Sequence, residues 1–536
     1  MGLFALNRLM PPQRDRQRRR HQTHDHPPFV SPVSGRLMAS LTTGKRKGSP
    51  GQQDDDSQSG KIKRMAIPEL PEDILLRIHS LMPMREAARA ACLSQAFLHS
   101  WRCHSNLVFN KYTIGLKSAS GEKFHHKVDC ILRKHKGSLK TFKLEYNEMN
   151  GLDDFSYFDR WLQIALKPGL EELTFVLSET ETMRKYNFPC ALLSDRVGNS
   201  LRHLSLRFCD LHPTVELGPL RSLTRLCLCC VSITWNELEC LLSNSPALEL
   251  LDLTRCAEIR CLKLSCALQR LIVLSVLECE RLTVIESKAP NLSSLYLRGS
   301  SLDFSLVETL QMKELYLQQD NLIRDACAKL PPMLPNIETL AIESPWEVVD
   351  APMLPTKFLY LKHLNVNLRT GTIEYRPYDY FSLVSFLDAS PSLETLKLDV
   401  TQLRMLHKSI FADSQLRHMP EHRHSCLKSV KISGFSSAKC LIELTCYILK
   451  NAVSLECLTL DTIYGHRCYD DGKYDWCMPM GVGILMETPS ALSAIRTYIE
   501  NEVPSTVKLT VMEPCSQCHA KALRRALSQS CNAVSI

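Results

Sequence analysis

One short pattern recurs along most of this chain: an apolar residue, two others, an apolar residue, one other residue and a further apolar residue. Thirteen copies run from LKTFKL (139–144) to LECLTL (455–460), and their starts lie 20 to 34 residues apart. Such a period is the sequence signature of a solenoid, in which each unit buries its apolar face against its neighbours. The pattern therefore predicts one long repeat array, where a length of 536 residues would otherwise suggest roughly three or four domains.

Each unit contains a candidate β-strand. In LRHLSL (201–206), Leu204 and Leu206 flank the polar Ser205, which is the alternation of a strand with one buried face. The same letters fit a helix briefly, but the polar residue between the last two apolar positions favours a strand. The sequence therefore predicts an α/β fold: a curved leucine-rich-repeat solenoid with a parallel sheet on its concave face. Longer spacings predict helical or looped segments on the convex side.

The chain has 23 cysteines, many of them inside the apolar repeats. Small buried cysteines in such a pattern indicate core packing in a reducing compartment. Cys209, Cys256 and Cys279 are predicted to point inward in the turn after a strand. Neither a signal peptide nor an apolar run of about 18 residues is found, so we expect a protein of the nucleus, the cytoplasm or both.

The first 64 residues differ from the rest in composition. They are rich in Arg, Gln, His, Ser and Pro and lack an apolar period, so burial cannot offset their ordering entropy. Their 13 Lys and Arg against 5 Asp and Glu account for the whole formal net charge of +8. We expect a disordered basic tail at 1–64, and no nucleic-acid binding by the neutral folded part. The clusters KRK (45–47) and KIKR (61–64) fit a nuclear import signal or a plain solvated tail.

Residues 65–110 have the pattern of short amphipathic helices. The carboxylates of Glu72 and Asp73 favour the positive end of a first helix, and Pro83 ends that helix. Segments 84–93 and 94–101 are predicted as a second and a third helix. A core formed by so few residues is marginal by itself and often needs a partner.

The segment LPEDILLRIHSLMPMREAARAACLSQAFLHSW (70–101) resembles an F-box, the adaptor-binding module of cullin-based ubiquitin ligases. In that family the apolar residues pack against the C-terminal helices of a Skp-type adaptor. The family usually has Trp at the position of Phe97, so the aromatic character is kept. The resemblance implies an adaptor-binding surface formed by Leu70, Pro71, Ile74, Ile78, Leu81, Pro83, Leu93, Ser94, Phe97 and Trp101.

The remainder is similar to the plant F-box/leucine-rich-repeat proteins that end in an FBD-type segment. The motif that carries this likeness is LKSVKISGFSSAKCLIELTCYILKNAVSLECLTLD (427–461), a strand, Gly434-Phe435, a helix and a final strand. The expected domains are the tail at 1–64, the F-box at 65–110, the solenoid at 111–425, and FBD-like repeats with a cap at 426–536.

The resemblance implies a substrate-recognition subunit of a Skp/cullin/F-box-type ubiquitin ligase. It would bind a Skp-type adaptor, through that adaptor a cullin, and a protein substrate through the repeats, with no membrane partner. GxGxxG, Walker and GxSxG motifs do not occur, so we expect no enzyme activity and no cofactor. Two alternatives stay open: an interaction scaffold without ligase function, and a small-molecule (hormone) receptor.

Three groups of side chains invite a chemical role. CSQCH (515–519) matches a haem-attachment pattern, but haem needs a targeting segment and zinc needs a second ligand pair, which does not follow at the usual spacing. A buried cysteine pair near the last strand is the preferred interpretation, and no metal site is predicted. The histidine-rich segments at 125–126 and 418–424 are predicted as solvated loops. Tyr296 and Tyr316 occupy outward strand positions in neighbouring repeats and are candidate substrate contacts.

Overall fold

A computed structural model gives the fold. It describes residues 70–116, 121–146, 155–178, 185–214, 217–299, 303–306, 311–347, 356–370, 377–402, 407–417, 421–465, 468, 476–522 and 524. All of these belong to one compact unit, 69–536. The predicted basic tail at 1–64 lies outside the described residues.

Strands are the most numerous elements of the described residues. Each is four to eight residues long in most repeats, because one unit presents only a short extended segment before it turns away. In chain order the strands are β1 (Asn106–Phe109), β2 (Thr141–Tyr146), β3 (Glu172–Leu177), β4 (Tyr186–Phe188), β5 (His203–Arg207), β6 (Cys209–Leu211), β7 (Arg225–Cys229), β8 (Leu250–Thr254), β9 (Cys261–Leu264), β10 (Val273–Leu277), β11 (Val284–Ser287), β12 (Ser294–Arg298), β13 (Asp303–Leu306), β14 (Glu314–Gln318), β15 (Thr339–Ser344), β16 (His363–Thr370), β17 (Thr395–Gln402), β18 (Ser429–Ser433), β19 (Cys457–Asp461) and β20 (Lys508–Met512).

One parallel sheet of 15 strands runs through the repeats, in the order β1-β2-β3-β5-β7-β8-β10-β12-β14-β15-β16-β17-β18-β19-β20. The register places equivalent leucines side by side, as in Leu204↔Leu226 and Leu226↔Leu251. These inward leucines are fully buried and belong to one continuous core. The predicted solenoid with a parallel sheet is therefore confirmed. The sheet begins with β1, inside the segment 65–110 that the sequence assigned to the helical module.

Four consecutive strands of this sheet end in the same turn. The residue after each strand has φ between 53° and 55°, a left-handed conformation, although none of the four is glycine. Its N–H donates to the last carbonyl of the next strand, as from Phe208 N–H to the Cys229 oxygen at 3.0 Å. These bonds extend the ladder and offset a backbone strain of about 1–3 kcal/mol per residue. The four residues are Phe208, Cys230, Arg255 and Glu278.

The small residues after these turns point into the core, as predicted for Cys209, Cys256 and Cys279, all of which are buried. Cys256 Sγ lies 3.5 Å from the Leu228 oxygen, and Cys279 Sγ lies 3.6 Å from the Leu253 oxygen. Each of these two thiols thus donates to the backbone of a neighbouring strand, β7 for Cys256 and β8 for Cys279. A larger side chain at either position would push that strand away. Burial also raises the pKa of the Cys209 thiol.

Helices cover the other side of the longer repeats, and shorter repeats return through strands. A second parallel sheet, in the order β13-β11-β9, lies where the repeat spacing is shortest. A unit of 20 to 23 residues has too little chain for a helix and two turns beside its inner strand. The helices are α1 (Glu72–Leu81), α2 (Met84–Ala90), α3 (Gln95–Arg102), α4 (Gly121–Lys134), α5 (Ser156–Ala165), α6 (Asp195–Gly198), α7 (Trp235–Ser243), α8 (Leu322–Met333), α9 (Val384–Ala389), α10 (Lys439–Asn451) and α11 (Val482–Tyr498).

The FBD-type motif forms β18, α10 and β19 in the predicted order. Gly434 follows β18 with φ +71°, and a Cβ added there would overlap the Val400 carbonyl oxygen, so the turn requires glycine. α10 is buried along almost its whole length, including Glu443, whose carboxylate accepts from Arg417 Nε at 2.7 Å. The Gly434 turn and the buried ion pair fix this segment against its neighbours.

Candidate functional site

Helix α1 has one inward side and one exposed apolar side. Leu75 and His79 face the interior, with 8% and 0% of their surfaces exposed. Ile74, Ile78 and Leu81 face outward, with 42%, 39% and 72% exposed. A spacing of four and then three residues places these three side chains along one stripe of the helix. The stripe is apolar and has no covering partner among the described residues.

Flanking residues extend this apolar surface at both ends. Leu70 is 49% exposed before the helix, next to the exposed Pro71 at the N-cap position. Leu93 is 77% exposed in the turn after α2. Pro83, at the N-cap of α2, is exposed as well. We name Leu70, Pro71, Ile74, Ile78, Leu81, Pro83 and Leu93 the apolar docking face.

The remaining three predicted adaptor-binding residues lie differently. Ser94 is exposed, and its Oγ caps α3 by accepting from Phe97 N–H at 3.1 Å. Phe97 is half-buried, with its ring centroid 5.3 Å from that of His79. Trp101 is half-buried and packs edge-on against His104 at 5.7 Å between centroids. The Phe97 ring therefore joins α3 to α1, and Trp101 packs against the main core at the end of α3.

Polar contacts attach this helical module to the first strand. Asn106 Nδ2 donates to the Ser80 oxygen at 3.3 Å, and His104 Nε2 donates to the Met82 oxygen at 3.3 Å. Burial lowers the pKa of His104, which keeps its imidazole neutral. Because Asn106 begins β1, the docking face is anchored to the start of the parallel sheet. The module and the repeats thus present their surfaces in a fixed relation.

Tyr296 and Tyr316 lie side by side on the outward face of the sheet. The register pairs them directly, and their ring centroids are 6.3 Å apart. The Tyr296 hydroxyl donates to Glu314 at 3.2 Å, and the Tyr316 hydroxyl donates to Glu343 at 2.7 Å. Burial and the adjacent carboxylate raise the pKa of Tyr296 to about 12, and the same two causes raise the pKa of Tyr316. Both rings are half-buried, so the pair offers aromatic edges and faces set among carboxylates.

Much of the charge on the outward face is already paired within the sheet. Glu172 on β3 lies 2.7 Å from Lys143 Nζ on β2 and 3.3 Å from His203 Nδ1 on β5. The bond with His203 and the charge of Lys143 lower the pKa of Glu172 to about 2. An outward face that carries paired side chains of both signs is better suited to bind another protein than to bind the uniformly charged phosphate backbone of a nucleic acid.

The histidine-rich segments are not both solvated loops. His125 belongs to α4, is buried, and stacks on Tyr157 with 4.8 Å between ring centroids. The prediction for this position was wrong, because the amphipathic pattern of α4 continues through it. His424 is also buried, 3.1 Å from the Tyr447 hydroxyl, whereas His418 lies outside the described residues. Both buried histidines, His125 and His424, have structural partners.

The cysteines of the CSQCH segment lie in a cluster that sequence reasoning missed. Cys515 and Cys518 meet Cys468 and Cys477, and the four sulfur atoms all lie within 4.8 Å of one another. His519 accepts from Cys515 N–H at 3.1 Å through Nδ1 and donates to the Met478 oxygen at 3.0 Å through Nε2. Both ring nitrogens are therefore used by the backbone, which disfavours the haem interpretation.

No helix of the described residues is long and apolar enough to cross a membrane. The fold and its exposed faces define a leucine-rich-repeat protein with an N-terminal helical module. A sequence model of the family described as "At1g61320/AtMIF1, LRR domain" matches residues 131–516. The chain belongs to this family.

Named relatives come from Arabidopsis thaliana. The chain is 23% identical over 432 residues to the F-box/FBD/LRR-repeat protein At1g13570, covering 76% of this chain and 93% of the relative. It is 25% identical to the F-box/FBD/LRR-repeat protein At4g00160, and the match covers 74% of this chain and 86% of the relative. It is 28% identical over 263 residues to the putative F-box/LRR-repeat protein At3g18150, covering 47% and 52%. These matches confirm the resemblance to plant F-box/leucine-rich-repeat proteins with an FBD-type segment.

Proposed function

We propose that this chain is the substrate-recognition subunit of a Skp/cullin/F-box-type ubiquitin ligase. The helical module binds a Skp-type adaptor and thereby a cullin, and the outward face of the sheet binds a protein substrate. The chain itself performs no chemistry. It holds a substrate lysine near a charged conjugating enzyme, so that transfer proceeds at a high effective concentration.

The observation that carries this proposal is the apolar docking face. Sixteen large apolar side chains of the described residues are exposed, and five of them fall within residues 70–93. Such a concentration of apolar surface in a short helical segment is typical of a protein-binding site. The relatives named as F-box proteins support an adaptor as the partner.

Co-purification with a Skp-type adaptor tests the docking. We expect the wild-type chain to retain the adaptor and the variant Leu70→Ala/Pro71→Ala to lose it, because both residues lie at the surface and contribute to docking more than to folding. The matched control is Val453→Ala, which removes a 55% exposed apolar side chain far along the sequence. Undiminished binding by the double variant contradicts the docking assignment.

The substrate contact assigned to Tyr296 and Tyr316 needs a separate test. Paired half-buried aromatic rings are favourable anchors because little side-chain entropy is lost when they are covered. We expect Tyr296→Ala/Tyr316→Ala to lose those partners that accumulate on the wild-type chain under proteasome inhibition, while adaptor binding persists. Tyr112→Ala is the control, since Tyr112 is 72% exposed and lies outside the strands.

Affinity purification with quantitative mass spectrometry gives the readout. An unchanged partner set for the double tyrosine variant removes these two residues from the substrate site. A wild-type chain that retains protein partners through the repeats but does not bind the adaptor favours the scaffold alternative.

A further inference from the structure

Four cysteines from three segments meet at the C-terminal end of the sheet. Cys468 follows β19, Cys515 and Cys518 follow β20, and Cys477 precedes α11. β19 and β20 are adjacent parallel strands, so their carboxyl ends emerge at the same edge. The topology therefore brings together thiols that lie 47 residues apart in the sequence, as for Cys468 and Cys515.

Their spacing matches a single tetrahedral metal ion. Cys468 Sγ and Cys515 Sγ are 3.7 Å apart, and all four sulfur atoms lie within 4.8 Å of one another. A tetrahedron with Zn–S bonds of about 2.3 Å has sulfur–sulfur edges of about 3.8 Å. A disulfide would need about 2.05 Å, and the four cysteines are free thiols. A cluster of two or four irons would spread its ligands further, because the four sulfur atoms are then divided among different irons.

Backbone groups make hydrogen bonds to two of the four sulfur atoms. The N–H groups of Cys518 and Gln517 donate to Cys515 Sγ. Cys468 N–H donates to Cys477 Sγ at 3.4 Å. N–H to sulfur bonds of this kind stabilise the deprotonated form that a metal requires.

His519 supports this site without being one of its ligands. It joins Cys515 N–H to the Met478 carbonyl, the residue next to Cys477, and so ties two of the cysteine-bearing segments together. Its burial, with 3% of the surface exposed, restricts the ring to this orientation. Such outer contacts fix ligand geometry in metal sites.

The buried Cys256 and Cys279 of the repeats differ from this cluster. Their side chains interact only as a pair, and each thiol also donates to a backbone carbonyl of a neighbouring strand. Cys468, in contrast, interacts through its side chain with all three of the other clustered thiols. Four mutually facing thiols at one end of a solenoid are not explained by core packing.

We propose that Cys468, Cys477, Cys515 and Cys518 bind one zinc ion, which closes the C-terminal end of the repeat array. The ion joins the loop after β19 to the turn after β20 and so caps β20, which pairs with β19 alone among the described strands. Metal binding then contributes directly to the stability of this end of the fold.

Elemental analysis of the purified full-length chain tests the site. We expect about one zinc per chain, released by a mercurial thiol reagent and detected with a zinc indicator, a measurement that needs no variant. Cys468→Ser and Cys518→Ser should each lower the zinc content to near zero. Cys266→Ser, at an exposed cysteine outside the cluster, should leave it unchanged.

Cobalt substitution tests the ligand set. Four thiolates around Co(II) give strong visible absorption and sulfur-to-metal charge transfer, and each Cys→Ser change should weaken both. His519→Gln should keep the spectrum of four thiolates while metal affinity falls by about 10- to 100-fold, as for a positioning residue. If the spectrum of the His519→Gln variant shows that a nitrogen ligand has been lost, His519 itself binds the metal, which contradicts the proposed set of four thiolates. A wild-type chain with free thiols, disulfides or iron, and without zinc, overturns the proposal.

Discussion

Replacing Gly434 by alanine perturbs the turn that joins β18 to α10. At φ +71° an alanine pays roughly 1–2 kcal/mol for the left-handed conformation. Its Cβ would also lie 3.0 Å from the Val400 carbonyl carbon and overlap the oxygen, so the turn and β17 must separate by roughly 1 Å.

That movement weakens two backbone hydrogen bonds. Gly434 N–H donates to the Ile463 oxygen at 3.0 Å, and Phe435 N–H donates to the Asp461 oxygen at 2.8 Å. Each contributes about 0.5–1.5 kcal/mol. Together, the strain and the two weakened hydrogen bonds should lower the free energy of unfolding by about 2–5 kcal/mol. Gly115→Ala is the matched control, because Gly115 has φ +65° with no atom within 4 Å of the added Cβ. It should cost only the conformational strain of about 1–2 kcal/mol.

Hydrogen exchange read by mass spectrometry suits a repeat protein, whose unfolding need not be two-state. Gly434→Ala should reduce protection in peptides that contain Thr395–Gln402 and Ser429–Ser433, and Gly115→Ala should not. Equal effects of the two substitutions on the C-terminal peptides would refute the steric reasoning.

Two further predictions concern buried or paired charges. Arg417→Ala leaves the fully buried Glu443 carboxylate without its cation and should lower the free energy of unfolding by about 3–5 kcal/mol. The control Arg423→Ala, at an exposed position, should lower it by less than about 0.5 kcal/mol. Chemical denaturation measures both values. A similar loss for both would contradict the pairing. The folded-state pKa of Glu172 lies at about 2, below its ordinary value, so its pairing stabilises the fold above about pH 4.5 and is lost as the pH falls towards 2. Since its side chain is partly solvated, we expect Glu172→Gln to lower stability by about 1–2 kcal/mol at pH 7 and by little near pH 2–3, and a pH-independent difference in melting temperature would contradict this.

Periodicity alone predicted the repeats and the inward leucines, because a strand with one buried face imposes alternation on every unit. It did not predict β9, β11 and β13, whose four-residue segments carry too few alternations to be distinguished from loops. Nor did it predict the non-glycine left-handed turns. Their strain at Arg255, for example, is offset by a hydrogen bond to the next strand, which depends on sheet register.

In the candidate sites, too, one feature was predictable from the sequence and another depends on the fold. The outward stripe of Ile74, Ile78 and Leu81 follows from helical spacing and was predicted together with the F-box resemblance. The cysteine cluster was missed because a second ligand pair was sought after Cys518. The pair Cys468 and Cys477 instead precedes it, and only the neighbouring position of β19 and β20 brings both pairs together.

The most direct test of the proposed function is the affinity of the purified chain for a purified Skp-type adaptor, measured by calorimetry. Leu81 and Leu93 are 72% and 77% exposed, so covering both would contribute about 2–4 kcal/mol. Leu81→Arg/Leu93→Arg should therefore weaken binding at least roughly 30-fold, whereas Leu359→Arg, at a side chain that is 55% exposed elsewhere, should bind as the wild type does. A wild-type chain that does not bind the adaptor, or a double variant that binds it equally well, would contradict the proposal that this surface docks a ubiquitin ligase.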